Sequence, residues 1–405
     1  MVQPSGIAGG NVVKELRTQV VIVGAGPAGL FLGHLLQQSG IDNVIIERRS
    51  REYVERRVRA GVIEHGVANS LDDSGAGERM RREGLIHHGV EFRFDHESHR
   101  VALSELTNGK TITVYGQQEL VKDLIALRFA SGAELLFDSE ATNIRDLEGE
   151  LAVAEGVGSG GPFRLTCDYV AGCDGSFGVA SQSLPSSSMR RYERIYPFAW
   201  FGILAEATPT SEELIYCRHE RGFALCSMRS PTVSRLYLGV APSENLDEWS
   251  DDRIWDELNR RLATESSPPI SEGPIMERSL TAMRSVVVAP MRSGRLLMAG
   301  DAAHIVPPTG AKGMNLALAD IRLLAPALIE SLTTRRSDLL DAYSSAALAR
   351  VWRAEEFSNY MTQMLHPHDD DEFENEVQTA RLRQMVSTPE ASTVFARNYT
   401  DLNTL

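Results

Sequence analysis

Apolar and polar positions define one sharply organised unit near the start of the chain. QVVIV (Gln19–Val23) is a run of apolar residues rather than an alternation, which predicts a parallel strand covered on both faces. GAGPAG follows as a turn. LFLGHLLQQSG then predicts a helix closed by Gly40, and DNVIIE predicts a second strand ending at Glu47. Strand, turn, helix and strand make a βαβ unit of about 30 residues. A second helix is predicted over Gln117–Ser131, with Leu120, Val121, Leu124, Ile125 and Leu127 apolar and Gly132 as its stop, followed by the strand AELLF. Glu155–Pro162 is a glycine-rich hairpin candidate ahead of the strand RLTCDYVAG. Between Arg194 and Val240 the pattern changes to short apolar and aromatic strands: YPFAWFGILAE, ELIYC, GFALCSM and SRLYLGV. That change predicts a sheet domain inserted into an α/β chain. Leu296–Ala299 reads as one more buried strand, and after Asn315 the pattern is mostly helical.

The fold class expected is therefore mixed α/β: a Rossmann-like domain, an inserted β-sheet domain and a helical C-terminal region. The 405 residues suggest two or three domains. The expected boundaries are a flexible leader at 1–17, small, polar and glycine-rich, then 18–190, 191–290 and 291–405. A net charge of -14 and a pI near 5.3 oppose binding to a phosphate backbone. They do not exclude an anionic small molecule, because a few local arginines can reverse the field inside a pocket. Cys167, Cys173, Cys217 and Cys226 form no C-x-x-C pair and no zinc spacing, so they read as reduced thiols of a cytoplasmic protein, with no metal expected. The same spacing argues against disulfide-reductase chemistry. The apolar stretch Val20–Gly33 is interrupted by glycines and is shorter than the roughly 20 residues a membrane span needs. No signal sequence is evident.

Gly24, Gly26 and Gly29 form G-x-G-x-x-G between a strand and a helix. The first allows the tight turn, the second lets backbone approach a pyrophosphate, and the third lets the helix pack closely on the strand. Glu47, at the end of the next strand, stands where an acidic residue binds a ribose hydroxyl. A glycine turn beside a surface glutamate is the plainer alternative, and the unit by itself suits NAD as well as FAD. Two further stretches, AGCDG (Ala171–Gly175) and AGDAAH (Ala299–His304), each set an aspartate at the carboxyl end of a strand, the second at the expected start of a helix. Such an aspartate can accept hydrogen bonds from ribose or ribityl hydroxyls, or simply cap a helix.

With GxGxxG, Asp174–Gly175 and Gly300–Asp301 in this order, the chain resembles the class A flavoprotein monooxygenases, and within them the hydroxylases of hydroxybenzoates. The resemblance runs from about Thr18 to Leu402 and includes RVRAGVIE, ERIYPF, RGFALCS and HIVPPTGAKGMNLA. It implies bound FAD, NADPH or NADH as reductant, dioxygen, and 4-hydroxybenzoate as substrate, hydroxylated at the 3 position through a flavin C4a-hydroperoxide. A homodimer is implied too. Other hydroxybenzoates, or a non-catalytic Rossmann-type nucleotide-binding protein, stay open as alternatives. By resemblance Glu47 holds the adenosine ribose, Arg57, Arg59, Gly61, Val62 and Gln117 line the FAD, and Asp174 and Asp301 contact its sugar chain. The segment Pro308–Asn315, with Gly310, Met314 and Asn315, presents backbone amides to the ring, where they would stabilise the negative charge of reduced flavin.

The implied substrate site has an acid grip and a proton outlet. Arg229 offers a fork that pairs bidentately with a carboxylate. Ser227, two residues away, faces the same side of a strand, and Met228, Tyr237 and Pro308 complete the implied site. Without the resemblance, an exposed arginine in a β-hairpin is the better reading. Attack on the ring requires a phenolate, and a free phenol has a pKa near 10, so its proton must be led away. Tyr216 and Tyr399 match the family's relay tyrosines, and His87 matches the histidine that hands the proton to solvent, its ordinary pKa suiting that task. His88 has no such match, and core packing is the plainer role for a buried tyrosine. Arg235 matches an arginine tied to flavin movement and the reductant. Arg48, Arg49 and Tyr53 match the region that reads the coenzyme's adenosine phosphate, with Glu52 opposing a 2′-phosphate.

Overall fold

The computed structural model describes residues 14–57, 61–185, 189–368 and 371–402. Its first sheet holds the expected βαβ unit. Strands run in the order Arg292–Ser293, Leu296–Met298, Gly161–Gly172, Lys14–Val23, Asn43–Ile46 and Leu135–Leu136. The strands neighbouring Lys14–Val23 pair with it in parallel. Val20, Val21 and Ile22 are wholly buried, because helices cover the sheet. Truncating such a side chain to Ala costs about 2–5 kcal/mol. The helix Pro27–Gln38 packs against both Gln117–Ala130 and Gly313–Thr334. Two antiparallel strands, Ala152–Gly158 and Glu140–Arg145, extend the sheet, and the first of them forms the anticipated hairpin with Gly161–Gly172.

Strand order begins earlier than the pattern suggested. Lys14–Thr18 already pairs with Phe163–Cys167, so residues 14–17, expected in the leader, extend the first strand. The pairing partner lies about 150 positions on, which is why local polarity concealed it. The rest of the expected leader lies outside the described residues. AGDAAH also departs from expectation. It forms a 3-10 turn at Gly300–Ala302 and a short strand at His304–Ile305, and the helix begins only at Gly313. Gly300 has φ +63, and Pro307 and Pro308 offer no N–H to an α-helix.

The second sheet also has eight strands, in the order His304–Ile305, Ile275–Ala289, Arg190–Ala205, Val233–Val240, Gly222–Ser230, Ile215–His219, Val90–Phe94 and Glu97–Val101. It recruits strands on both sides of the 191–290 stretch. Its two faces bury different partners, as the period of two in a strand requires. Ala224 and Cys226 face the helix Asp251–Leu262 through Ile254 and Leu258. Phe223 and Leu225 face the C-terminal helices through Phe357, Met361, Phe395 and Tyr399. No helix among the described residues is long and apolar enough to cross a membrane.

Candidate active site

At the end of the first strand, the glycines behave according to their positions. Gly24 has φ +106, and a Cβ there would lie 2.3 Å from the Cys173 carbonyl oxygen; at Gly29 it would lie 2.0 Å from the Gly24 carbonyl oxygen. A Cβ at Gly26 meets nothing within 4 Å, because Gly26 opens onto a cavity of about 890 Å³. The helix Pro27–Gln38 starts here with no side chain capping it, so its first amides and its dipole face that space. Glu47 is fixed beside it: its carboxylate accepts the N–H of Ala25 and that of Arg49, both at 2.8 Å.

The cavity is walled by Gly24, Gly26, Glu47, Arg48, Arg49, Tyr53, Arg57, Val62 and Gln117 on one side, and by Asp174, Asp301, Pro308 and Met314 on the other. Asp174 accepts the Ala180 N–H at 2.9 Å through one oxygen, while its other oxygen is buried without a partner among the described residues. Burial raises its pKa to about 6. An acceptor left over on a cavity wall, a bare helix N-terminus and a backbone opening at Gly26 together suit a dinucleotide bearing sugar hydroxyls and a pyrophosphate. Several expected positions lie just behind the wall. Gly29 and Gly61 press on backbone, the latter with its Cβ position 2.0 Å from the Tyr115 carbonyl oxygen. Asn315 uses its side chain to staple the loop, accepting the Glu64 N–H and donating to the carbonyls of Val62 and Ala311. Its amide is thereby committed to the protein itself. Arg59 lies outside the described residues.

On the second sheet, three neighbouring strands align Tyr216, Leu225 and Tyr237 in one cross-strand row. Two strand spacings set the backbones of Tyr216 and Tyr237 about 10 Å apart. Beside Tyr237, Arg229 is half-buried, with one terminal nitrogen donating to Ser227 Oγ at 3.1 Å and to the Met228 carbonyl at 2.9 Å. Tyr237 lies close enough to influence the same guanidinium. No acidic side chain pairs with Arg229 among the described residues, and burial lowers its pKa from the ordinary value. A desolvated, unpaired guanidinium favours an incoming carboxylate. At the other end of the row, the Tyr216 and Tyr399 hydroxyls are 2.8 Å apart, and burial raises the pKa of both phenols.

His87 differs from the sequence expectation. It is 1% exposed, neither ring nitrogen has a partner, and no hydrogen bond joins it to Tyr399 among the described residues. Burial pushes its pKa down to about 4, against the opposing pull of Glu213. It is therefore neutral at pH 7 rather than poised near its ordinary value. His88 is exposed. Arg235 sits beside Tyr237 instead of with Arg48, Arg49 and Tyr53: it pairs with Glu277 at 3.2 Å, donates to Ser279 at 2.9 Å, and lies 5.3 Å above the Tyr237 ring. Arg49 lies over the Tyr53 ring at 5.0 Å, and Glu52 is paired with Arg56 at 2.8 Å, which blunts its opposition to a phosphate.

Two features escaped the sequence reading. Lys312, wholly buried, donates to Glu64 at 2.7 Å and to the Tyr399 carbonyl at 3.0 Å. Phe177, 72% exposed, stands on the cavity wall with the Arg284 guanidinium 5.1 Å from its ring centre. Both join residues more than 80 positions apart, and no local spacing signals either pair.

The chain matches the family model described as FAD binding domain over residues 17–358. It is 44% identical over 391 residues to p-hydroxybenzoate hydroxylase of Acinetobacter baylyi, covering 96% of each chain. It is 28% identical to 6-methylpretetramide 4-monooxygenase of Streptomyces rimosus, across 82% of this chain and 80% of that one. In fold it resembles the crystal structure of p-nitrophenol 4-monooxygenase from Pseudomonas putida, with a TM-score of 0.81, 18% identity, and coverage of 96% and 99% of the two chains.

Proposed function

This chain belongs to the p-hydroxybenzoate hydroxylase family of FAD-dependent monooxygenases, and from that premise we infer that it converts 4-hydroxybenzoate to 3,4-dihydroxybenzoate with NAD(P)H and dioxygen. One observation carries the substrate: the unpaired Arg229 guanidinium shares a sheet face with the Tyr216–Tyr399 hydroxyl pair. A ring with an acid at one end and a phenol at the other suits the two ends of that face.

Bound FAD would supply the oxygen-activating chemistry, which no side chain can provide. Its dinucleotide would rest on Gly24, Gly26 and the helix N-terminus, with Glu47, Asp174 and Asp301 taking sugar hydroxyls and the Pro308–Met314 segment facing the ring. The protein's own work is positional and acid–base. Arg229, with Ser227 and Tyr237, grips the carboxylate and fixes which ring carbon is presented. Tyr216 accepts the phenol's hydrogen bond, and Tyr399 takes the proton onward, so the ring gains electron density at the carbon to be hydroxylated. His87, neutral and buried, can accept that proton only in passing. The packed aromatic wall of Phe223, Trp200 and Phe198 keeps water from the ring.

Arg48 and Arg49 at the cavity rim favour NADPH over NADH, because two guanidiniums suit a 2′-phosphate. The same reading expects a cytoplasmic homodimer, in keeping with four free cysteines. Mixing FAD-loaded protein with NADPH, oxygen and a panel of hydroxybenzoates tests the assignment. 4-Hydroxybenzoate should accelerate flavin reduction and give 3,4-dihydroxybenzoate; acceleration by a different isomer alone overturns the substrate.

A further inference from the structure

Ser358, Thr362 and His366 are spaced by four along the helix Asp338–Leu365 and its C-cap, and so share one stripe. All three are buried, although that end of the helix is otherwise packed through Phe357, Met361 and Leu365. Buried polar groups need partners; Thr362 and His366 find theirs on opposite sides, while Ser358 Oγ is buried without one among the described residues. At the start of the stripe, a Cβ on Gly310 would lie 2.7 Å from Ser358 Oγ, and Thr362 Oγ1 is 2.9 Å from Thr309 Oγ1. The first shows that the helix presses close on Gly310, and the second ties the turn Pro308–Gly310 to the helix on the cofactor side.

At the end of the stripe, His366 Nε2 accepts the Trp200 indole N–H at 2.8 Å, and Nδ1 lies 2.8 Å from the Thr362 carbonyl. That pair of contacts requires the neutral ring with its proton on Nδ1. The imidazole stacks on Phe198 at 4.1 Å and on Phe223 at 4.5 Å. Trp200 in turn packs on Tyr237 at 4.8 Å, and Tyr237 lies beside Arg229. A continuous chain therefore runs from the carboxylate clamp through Trp200 and His366, along one helical turn to Thr362, and on to Thr309.

We propose that His366 is a positioning residue that couples the Arg229–Tyr237 clamp to the Thr309–Gly310 turn, so that filling the clamp changes the setting of the flavin. This rests on the reading that Arg229 grips the substrate and that the turn faces FAD. A residue serving only to fill the core would leave the response of the flavin to substrate untouched.

Three variants of the FAD-loaded enzyme separate these roles. His366→Phe keeps the ring stack and removes both hydrogen bonds. Thr362→Val removes the link to Thr309 together with the hydroxyl's bond to the Ser358 carbonyl within the helix, and leaves the His366 contacts in place; His366→Gln restores an acceptor and a donor. Two quantities are read: the ratio of flavin reduction rates by NADPH with and without saturating 4-hydroxybenzoate, and the flavin difference spectrum on adding that acid without NADPH. In His366→Phe and Thr362→Val the ratio should fall about tenfold, in line with typical coupling strengths between sites. The difference spectrum should shrink, the substrate-free rate should hold, and His366→Gln should recover most of the response. Wild-type ratio and spectrum in both cutting variants overturn the proposal, and Thr362→Val alone decides it if His366→Phe does not fold. If only another hydroxybenzoate elicits the wild-type response, the substrate reading fails, and the variants are scored with that acid.

Discussion

The hydroxyl oxygens of Tyr216 and Tyr399 meet 2.8 Å apart in the core, although 183 positions separate them in the chain. One comes from the strand Ile215–His219, the other from the last described helix, Pro389–Thr400. Since burial raises the pKa of both, a proton led along the pair would pass by exchange of hydrogen bonds rather than through a phenolate held on either ring.

Tyr216→Phe cuts this pair at its substrate end. Leaving the Tyr399 hydroxyl buried and unpartnered costs about 1–3 kcal/mol of stability. Hydroxylation at pH 7.5 should drop by about 10²-fold or more, the scale of a lost proton-transfer group. FAD content should be normal, and NADPH oxidation should continue with hydrogen peroxide in place of product. Wild-type product yield per NADPH consumed would move the relay elsewhere.

Arg229→Ala removes the acid grip. The KM for 4-hydroxybenzoate should rise about 100-fold, near the lower end for losing one partner of a desolvated charge pair. Weak turnover of unsubstituted phenol should be unaffected, because it has no carboxylate to lose. Arg229→Lys should fall between, since one ammonium replaces a two-pronged fork. A uniform loss for both substrates would mean damage to the fold instead.

Gly26 and Gly29 should part company on substitution. Gly29→Ala drives a methyl into the Gly24 carbonyl, and the protein should express poorly or melt several degrees lower. Gly26→Ala meets no protein atom, so the apoprotein's Tm should hold while its methyl obstructs the pyrophosphate position. Purified Gly26→Ala should be nearly colourless at 450 nm. A fully yellow variant would place the dinucleotide away from this turn.

Acid should weaken the fold through His87. Its folded pKa is pushed down to about 4 from 6.5, so below pH 6.5 the unfolded chain binds a proton that the folded protein refuses. Stability from this group falls as pH drops from 6.5 towards 4 and is unaffected above that window. Glu355 and Asp174, raised to about 7 and about 6, bind protons in the folded state and act in the opposite direction. Comparing wild type with His87→Gln cancels them. Urea unfolding at pH 7.5 and pH 5 should show the gap between the two proteins shifting by about 2 kcal/mol in the variant's favour on acidification. An unchanged gap would mean that His87 is not desolvated.

Local rules carried the nucleotide end. Continuous apolar runs, a glycine string whose members each face a different steric demand, and a glutamate one strand later all act within about 30 residues. Their geometry is set by backbone sterics that any reader of the chain can apply. The helix Gln117–Ala130 was legible for the same reason. By contrast, AGDAAH read as a helix start, because the two prolines and the positive φ of Gly300 act only once the chain has turned back over the first helix.

What the sequence determined by itself was the set of elements and the chemistry they could host: periodicity, turns and charged forks are properties of neighbouring residues. Only the tertiary structure decided that His87 is desolvated, that Lys312 is paired with Glu64, that Arg235 sits over Tyr237, and that Ser358, Thr362 and His366 lie between Trp200 and the Pro308–Gly310 turn. Burial and pairing depend on which distant segments close over a side chain, and no spacing along the chain records that.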